Sequence, residues 1–292
     1  MTTNIRIGAG GAYSIISKSL GLEAGGSIGI PLYIAQTLSA ALYIIGFKEG
    51  WRLFFPDQSP LLISTVAWVS LLIVSYISTQ FAIRIQYIIM AIMGISLLAF
   101  FLTPAKSATD IQLIGGFQEA DFWNVFAIFF PAVTGIMAGA NMSGDLLEPR
   151  KSLVRGTMSS ILVTMGIYIA LAYFLAKVAT PEELRANQMI MVDKALWGPA
   201  VAMGIIGATL SSALGSMIGA PRVLQALAAQ RTIPFNVTIG HKTKRNEPRN
   251  AIIITGFLIE LALLSGNLDV LASLITMFFL ITYGMLNLVV FI

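Results

Sequence analysis

The amino-acid sequence predicts an all-α, polytopic membrane helix bundle, and three observations carry that reading. Hydrophobic residues make up 57% of the chain and charged residues only 11%, where soluble domains hold about 25% charged residues. The mean hydropathy is +0.83. Apolar runs long enough to cross a hydrocarbon core of roughly 30 Å recur along nearly the whole length, separated by short polar connections. Their hydrophobicity is continuous rather than alternating, which selects helices over a barrel.

The opening segment, MTTNIRIGAGGAYSIISKSLGL, is mildly amphipathic and glycine-rich. It lacks the continuous apolar core of a signal peptide and contains no GK[ST] phosphate loop. Eight spans follow, over residues 24–46, 60–83, 86–103, 122–142, 156–177, 197–221, 250–265 and 269–292, and they place 1–292 in a single transmembrane domain. The second and third meet in a tight hairpin at the region of Arg84. The seventh is short. The last runs to Phe291 and Ile292 without a polar flank, which points to a chain cut short within apolar sequence.

Basic residues in alternate connections divide about two to one in favour of the side that holds the N-terminus, so the positive-inside rule puts that terminus in the cytoplasm. The net charge of +4 reads as topology rather than as a nucleic-acid footprint. There is no cysteine, which excludes disulfides, iron–sulfur clusters and thiolate zinc sites. The single histidine, His241, lies in a basic polar loop and leaves no cluster for a metal or a proton relay. No cofactor is expected, and no nucleophile–base pair suggests an enzyme.

The fourth span, FFPAVTGIMAGANMSGDLLEP over residues 129–149, is built to break. Pro131 has no N–H and its ring disturbs the carbonyl of Ala127, while Gly135, Gly139 and Gly144 relax the backbone, so the helix is expected to open near Val133. Backbone groups freed in hydrocarbon cost several kcal/mol each unless protein, water or a solute satisfies them. The half-helix ending at Phe130 to Val133 offers carbonyl oxygens suited to a small cation. The half-helix starting at Gly135, Ile136 and Met137 offers N–H groups suited to an anion. Thr134 adds a hydroxyl at the junction. The competing account is a proline kink repaired by neighbouring helices and water.

The sixth span carries Thr209, Ser211 and Ser212 among small residues. Serine hydroxyls with a carbonyl such as that of Ala208 would suit sodium, although from spacing alone tight helix packing is the simpler account. Tyr43 and Tyr283 place phenols inside apolar spans, where each needs a partner; for a lone tyrosine an interhelical hydrogen bond is the simpler one. Glu260 lies within the seventh span and stays open between a cation ligand, a proton carrier and a helix-terminus partner. Asp145, Glu148, Arg150 and Lys151 read as a solvated, topology-setting loop.

Taken together, GGAYSIISKSLGLEAGGSIG at 10–29, the broken span at 129–149, ATLSSALGSMIGAPRVLQAL at 208–227, NEPRNAIII and SLITMFFLITYGMLNL resemble the cation-chloride cotransporter family of the amino acid–polyamine–organocation superfamily. The motifs keep the family's order and spacing from end to end. The resemblance implies the LeuT-like inverted-repeat fold, here a fragment that lacks the family's first two helices and with them its first broken helix. It also implies roles. Tyr43, Pro131 and Thr134 would bind potassium, the proline through its carbonyl; Gly135, Ile136 and Met137 would hold chloride through N–H groups with Tyr283 donating its phenol; Ala208, Ser211 and Ser212 would form part of a sodium site. The serine pair resembles sodium-coupled members, whereas GAPR at 219–222 looks more like the potassium-chloride branch. The implied function is symport of chloride with potassium, sodium or both across the plasma membrane, by a chain that is compatible with a homodimer. An amino-acid permease on the same scaffold, or a membrane-embedded structural subunit, is the alternative.

Overall fold

The computed structural model describes residues 10–77, 79–104, 121–141, 148–243, 247–265 and 268–291. Among them the regular structure is helical throughout. In chain order the helices are α1 (Ala12–Leu20), α2 (Leu22–Arg52), α3 (Pro60–Ile77), α4 (Thr79–Phe101), α5 (Phe122–Phe129), α6 (Met137–Asn141), α7 (Pro149–Val178), α8 (Pro181–Ala186), α9 (Ile190–Lys194), α10 (Gly198–Ala229), α11 (Asn236–Gly240), α12 (Arg249–Ser265) and α13 (Leu268–Phe291), with a 3₁₀ turn at Phe130–Val133 between α5 and α6. The molecule is an all-α membrane helix bundle. Six of its described helices, α2, α3, α4, α7, α10 and α13, are long and apolar enough to cross a membrane. Gly144 and Asp145 lie outside the described residues.

The bundle is organised on α2 and α10, whose principal contact is with each other; α4 lies along α10, α13 along α2, and α12 touches both. Without water to drive helices together inside a bilayer, close van der Waals approach does the work, and small residues permit it. Gly46 of α2 faces the Thr209 methyl, Gly50 faces Ile205 and Ile206, and Gly207 of α10 faces Ile89 of α4. At Gly204 the approach is closest, since any Cβ there would overlap both Cβ and Oγ of Ser96 on α4.

Three features depart from the sequence reading. The glycine-rich opening holds a helix, α1, whose Ala12 to Ser17 are buried, and Tyr13 reaches across to donate a 2.6 Å hydrogen bond to Gln230 Oε1 beyond the end of α10. Arg84 is not the hairpin point, since it lies within α4, which starts at Thr79; residue 78 lies outside the described residues. The connection from α7 to α10 carries two short helices. The first starts with a capping box in which Thr180 Oγ1 accepts from the Glu183 N–H and the Glu183 carboxylate accepts from the Thr180 N–H, while Lys194 Nζ bonds Glu183 Oε1 at 2.7 Å.

The exposed Lys151–Glu148 ion pair, 3.2 Å, fits a solvated connection before α7. The most apolar stretch of α7 has none of its residues buried within this chain, so its apolar side chains are left to face lipid or other helices.

Because Ser96 Cβ cannot move away from Gly204 without shifting α4, Gly204→Ala is expected to cost about 1–3 kcal/mol through overpacking. A lowered thermal midpoint of the detergent-solubilised chain, restored when Ser96→Gly is added, checks it. Failure of the second change to restore stability would show that the α4–α10 approach is not what limits residue 204.

Candidate functional site

The fourth predicted span is interrupted as its composition requires. α5 ends at Phe129, the 3₁₀ turn covers Phe130–Val133, Thr134 is extended with ψ near 180°, and α6 starts at Met137. Gly135 takes φ +101°, a conformation that strains any residue with a Cβ, although open space surrounds it. The opening therefore lies at Thr134–Gly135, one residue beyond the expected Val133.

The carbonyls released by Pro131 find protein partners. Thr276 Oγ1 of α13, 2% exposed, donates to the Ala127 carbonyl at 2.6 Å. Tyr168 of α7 donates to the Ala132 carbonyl at 2.6 Å. The Pro131 carbonyl accepts from the Thr134 N–H at 3.2 Å and from Thr134 Oγ1 at 2.7 Å. On the carbonyl side the competing account, a kink repaired by neighbours, thus describes much of what is present. Neither Thr276 nor Tyr168 was a sequence candidate: a threonine or tyrosine in an apolar span carries no local sign of which distant carbonyl it will meet.

A cavity of about 230 Å³ opens beside the break. Its wall joins Tyr43 of α2, Thr134 and Gly135 of the break, Met137 of α6, and Ser211 and Ser212 of α10. Six of the ten sequence candidates therefore share one space. Pro131 is buried in the 3₁₀ turn and reaches the cavity only through Thr134. Ile136 instead lines a second cavity, about 420 Å³, between the break and α7. Ala208 lies on α10 one turn before Ser212 and is not part of the wall.

Tyr283 stacks on Phe279, a wall residue, with ring centroids 5.5 Å apart. Its buried hydroxyl lies beside the Gly135 backbone and Tyr43, yet makes no well-formed hydrogen bond among the described residues. A phenol without a partner beside a helix interruption is a donor in want of an acceptor. Glu260, which does not line this cavity, also keeps one buried carboxylate oxygen, Oε2, without a partner among the described residues.

The remaining polar wall, Gln36, Ser39, Gln86, Asn141 and Ser216, was not singled out in the sequence. The available signal was the rarity of amide side chains in apolar spans, as at Gln36 in YIAQTLSAAL. The cavity wall carries no formal charge. It is a set of neutral dipoles, able to take a dehydrated ion by replacing its water with oxygens and N–H groups. Among the described residues no group of three His, Cys, Asp or Glu could hold a metal ion.

Thr276→Val should leave the Ala127 carbonyl unsatisfied and cost about 1–3 kcal/mol, read as a lower unfolding midpoint in detergent. An unchanged midpoint would mean that the carbonyl released by Pro131 has another partner.

The amino acid permease family matches residues 1–292, the whole chain. Solute carrier family 12 member 8 of Xenopus laevis is 31% identical over 296 residues, covering 95% of this chain and 41% of the relative. Solute carrier family 12 member 2 of Squalus acanthias is 30% identical over 358 residues, covering 100% of this chain and 30% of the relative. The human member 1 is 31% identical over 354 residues, covering 98% and 32%. The chain thus spans less than half the length of these curated relatives. Solute carrier family 12 is the cation-chloride cotransporter family that the motifs resemble, and its members are transporters rather than enzymes. By its full-length match, the chain belongs to the amino acid permease family.

Proposed function

We propose that residues 1–292 form a transporter domain, crossing the membrane eight times with a cytoplasmic N-terminus, that moves chloride together with potassium, sodium or both by alternating access around the interrupted span. The observation that carries this reading is the cavity that joins the break at Thr134–Gly135 to Tyr43 and to Ser211 and Ser212. Similarity to solute carrier family 12 members over at least 95% of the chain supports it.

The potassium site consists of the Tyr43 phenol, Thr134 Oγ1 and the Pro131 carbonyl. Thr134 Oγ1 and the Pro131 oxygen are already 2.7 Å apart, held by the threonine proton. Turning that one proton away presents two oxygens to a cation at once, so the cation replaces a hydrogen bond rather than entering an unprepared space. Chloride sits across the break on the N–H groups of Gly135, Ile136 and Met137, with the unpartnered Tyr283 hydroxyl donating to it. Sodium, where coupled, uses Ser211 and Ser212 with the Ala208 carbonyl. No resident cofactor is involved, and ion gradients supply the driving force.

Opposite charges on the two sides of one interruption stabilise each other. At about 5 Å and an effective dielectric of about 20 the attraction is roughly 3 kcal/mol. Linkage then requires chloride to raise cation affinity and cation to raise chloride affinity by the same factor, typically 5–150-fold.

With the chain reconstituted in vesicles, rubidium binding is expected to tighten at least fivefold when chloride replaces gluconate. Ser211→Ala with Ser212→Ala should abolish any sodium dependence and leave chloride-dependent rubidium uptake in place. Ion-independent uptake of an amino acid would instead favour the organic-solute reading that the amino acid permease match supports, in which a substrate carboxylate occupies the N–H side of the break. Rubidium and chloride isotherms that ignore each other would overturn the coupling.

A further inference from the structure

Two amide side chains at one end of the cavity are buried without partners. Gln36 of α2 is 6% exposed and Asn141 of α6 is 1% exposed. Among the described residues Gln36 Oε1, Asn141 Oδ1 and Asn141 Nδ2 make no hydrogen bond. Both residues line the cavity, and both border the space left by the missing side chain of Gly219 on α10: a Cβ there would lie 3.3 Å from Asn141 Nδ2 and 3.3 Å from Gln36 Oε1. Asn141 Oδ1 lies against Gly11, where any side chain would collide with it.

Buried amides left unpaired are costly, and two such atoms, Gln36 Oε1 and Asn141 Nδ2, facing one gap are a built polar site. Gln36 precedes Tyr43 by two turns of α2, about 10 Å, so this site is offset from the Tyr43–Thr134 end toward the α1 side of the bundle. On the orientation proposed above, that is the cytoplasmic end of the path.

We propose that Gln36 and Asn141, with the gap at Gly219, form a second, transit subsite for partly hydrated monovalent ions of either sign. Asn141 is the reason both signs are accepted. Because neither end of its amide is bonded, turning it over sacrifices no hydrogen bond. One orientation sets Oδ1 beside Gln36 Oε1, two carbonyl oxygens for a cation; the other sets Nδ2 toward an anion, with water completing each shell. The lack of a formal charge on the wall keeps either ion from being trapped, so the subsite passes on what the Thr134–Gly135 break releases.

This inference rests on the ion-transport reading, and one experiment separates the two. Crystals of the chain grown with rubidium and bromide salts report each ion by its anomalous signal. Signals from both are expected in front of Gly219, apart from those beside Thr134. Asn141→Asp should keep the rubidium signal there and lose bromide, and Asn141→Leu should lose both, with the Thr134 signals unchanged. Gly219→Ala, which fills the gap without altering either amide, should also empty it.

In vesicles, Asn141→Leu should raise the cytoplasmic-side KM for both ions about tenfold or more, the loss of a contact to a charged group. Water alone or protein atoms in front of Gly219, or bromide retained by Asn141→Asp, would overturn the subsite. Signals at Gly219 with none beside Thr134 would instead overturn the main site and leave this one standing.

Discussion

The structure is governed by the rule that backbone polar groups at membrane depth must find partners within the protein or in what it carries. Pro131 breaks that rule locally, since a proline inside a span removes one N–H and frees a carbonyl a turn earlier. What surrounds it is the response. α13 supplies Thr276 to the Ala127 carbonyl, α7 supplies Tyr168 to the Ala132 carbonyl, and Thr134 turns back on Pro131 itself. Three elements far apart in sequence are thereby fixed around a discontinuity of about four residues. The repair is lopsided. Carbonyls are met by hydroxyls, while beside the Gly135 backbone a buried phenol, Tyr283, has no well-formed hydrogen bond among the described residues.

Closeness of α2 and α10 is the second condition, because a polar cavity survives only if the surrounding apolar walls keep lipid out. Glycine at 46 and 50 brings α2 against α10, glycine at 204 and 207 brings α10 against α4, and hydroxyls nearby bond back to their own helix. Thr209 donates to the carbonyls of Ile205 and Ile206 and so sits on the packing face without an unmet proton, and Ser39, although on the cavity wall, likewise donates to the Ala35 carbonyl. Ser211 and Ser212 face the cavity instead. One stretch of α10 therefore does two things: Thr209 belongs to the packing face and the serine pair to the cavity wall, which is why spacing alone could not decide between packing and binding for the cluster.

Much of the architecture was legible because its signals are local. Apolar runs mark the helices, and a proline followed by glycines marks the break to within a residue of where Thr134 turns. Signals that depend on pairing were not legible. Nothing around Thr276 or Tyr168 announces a carbonyl 149 or 36 residues away. The opening segment reads only as mildly amphipathic and glycine-rich because its serines and Lys18 dilute the hydropathy, yet Tyr13 is fully buried in the cluster that α2 and α10 share and Ile16 against Ile28 of α2 and Val289 of α13. Gln36 and Asn141 passed unnoticed for the same reason: a single amide in an apolar run looks like a packing residue until a second one is found facing the same gap.

Neutral dipoles are a consistent choice for such a path. A fixed carboxylate in a cavity of this size would hold a cation too tightly to release it and would repel chloride, whereas amides, hydroxyls and backbone groups present either end of a dipole at the expense of a rotation. On the proposed mechanism the break offers oxygens on one side and N–H groups on the other, and Thr134 would change from donor to ligand by turning one proton. Selectivity for a pair of ions then comes from the ions themselves. On that proposal each ion would make the site electrically tolerable for the other, and a path without formal charge would carry both more readily than either alone.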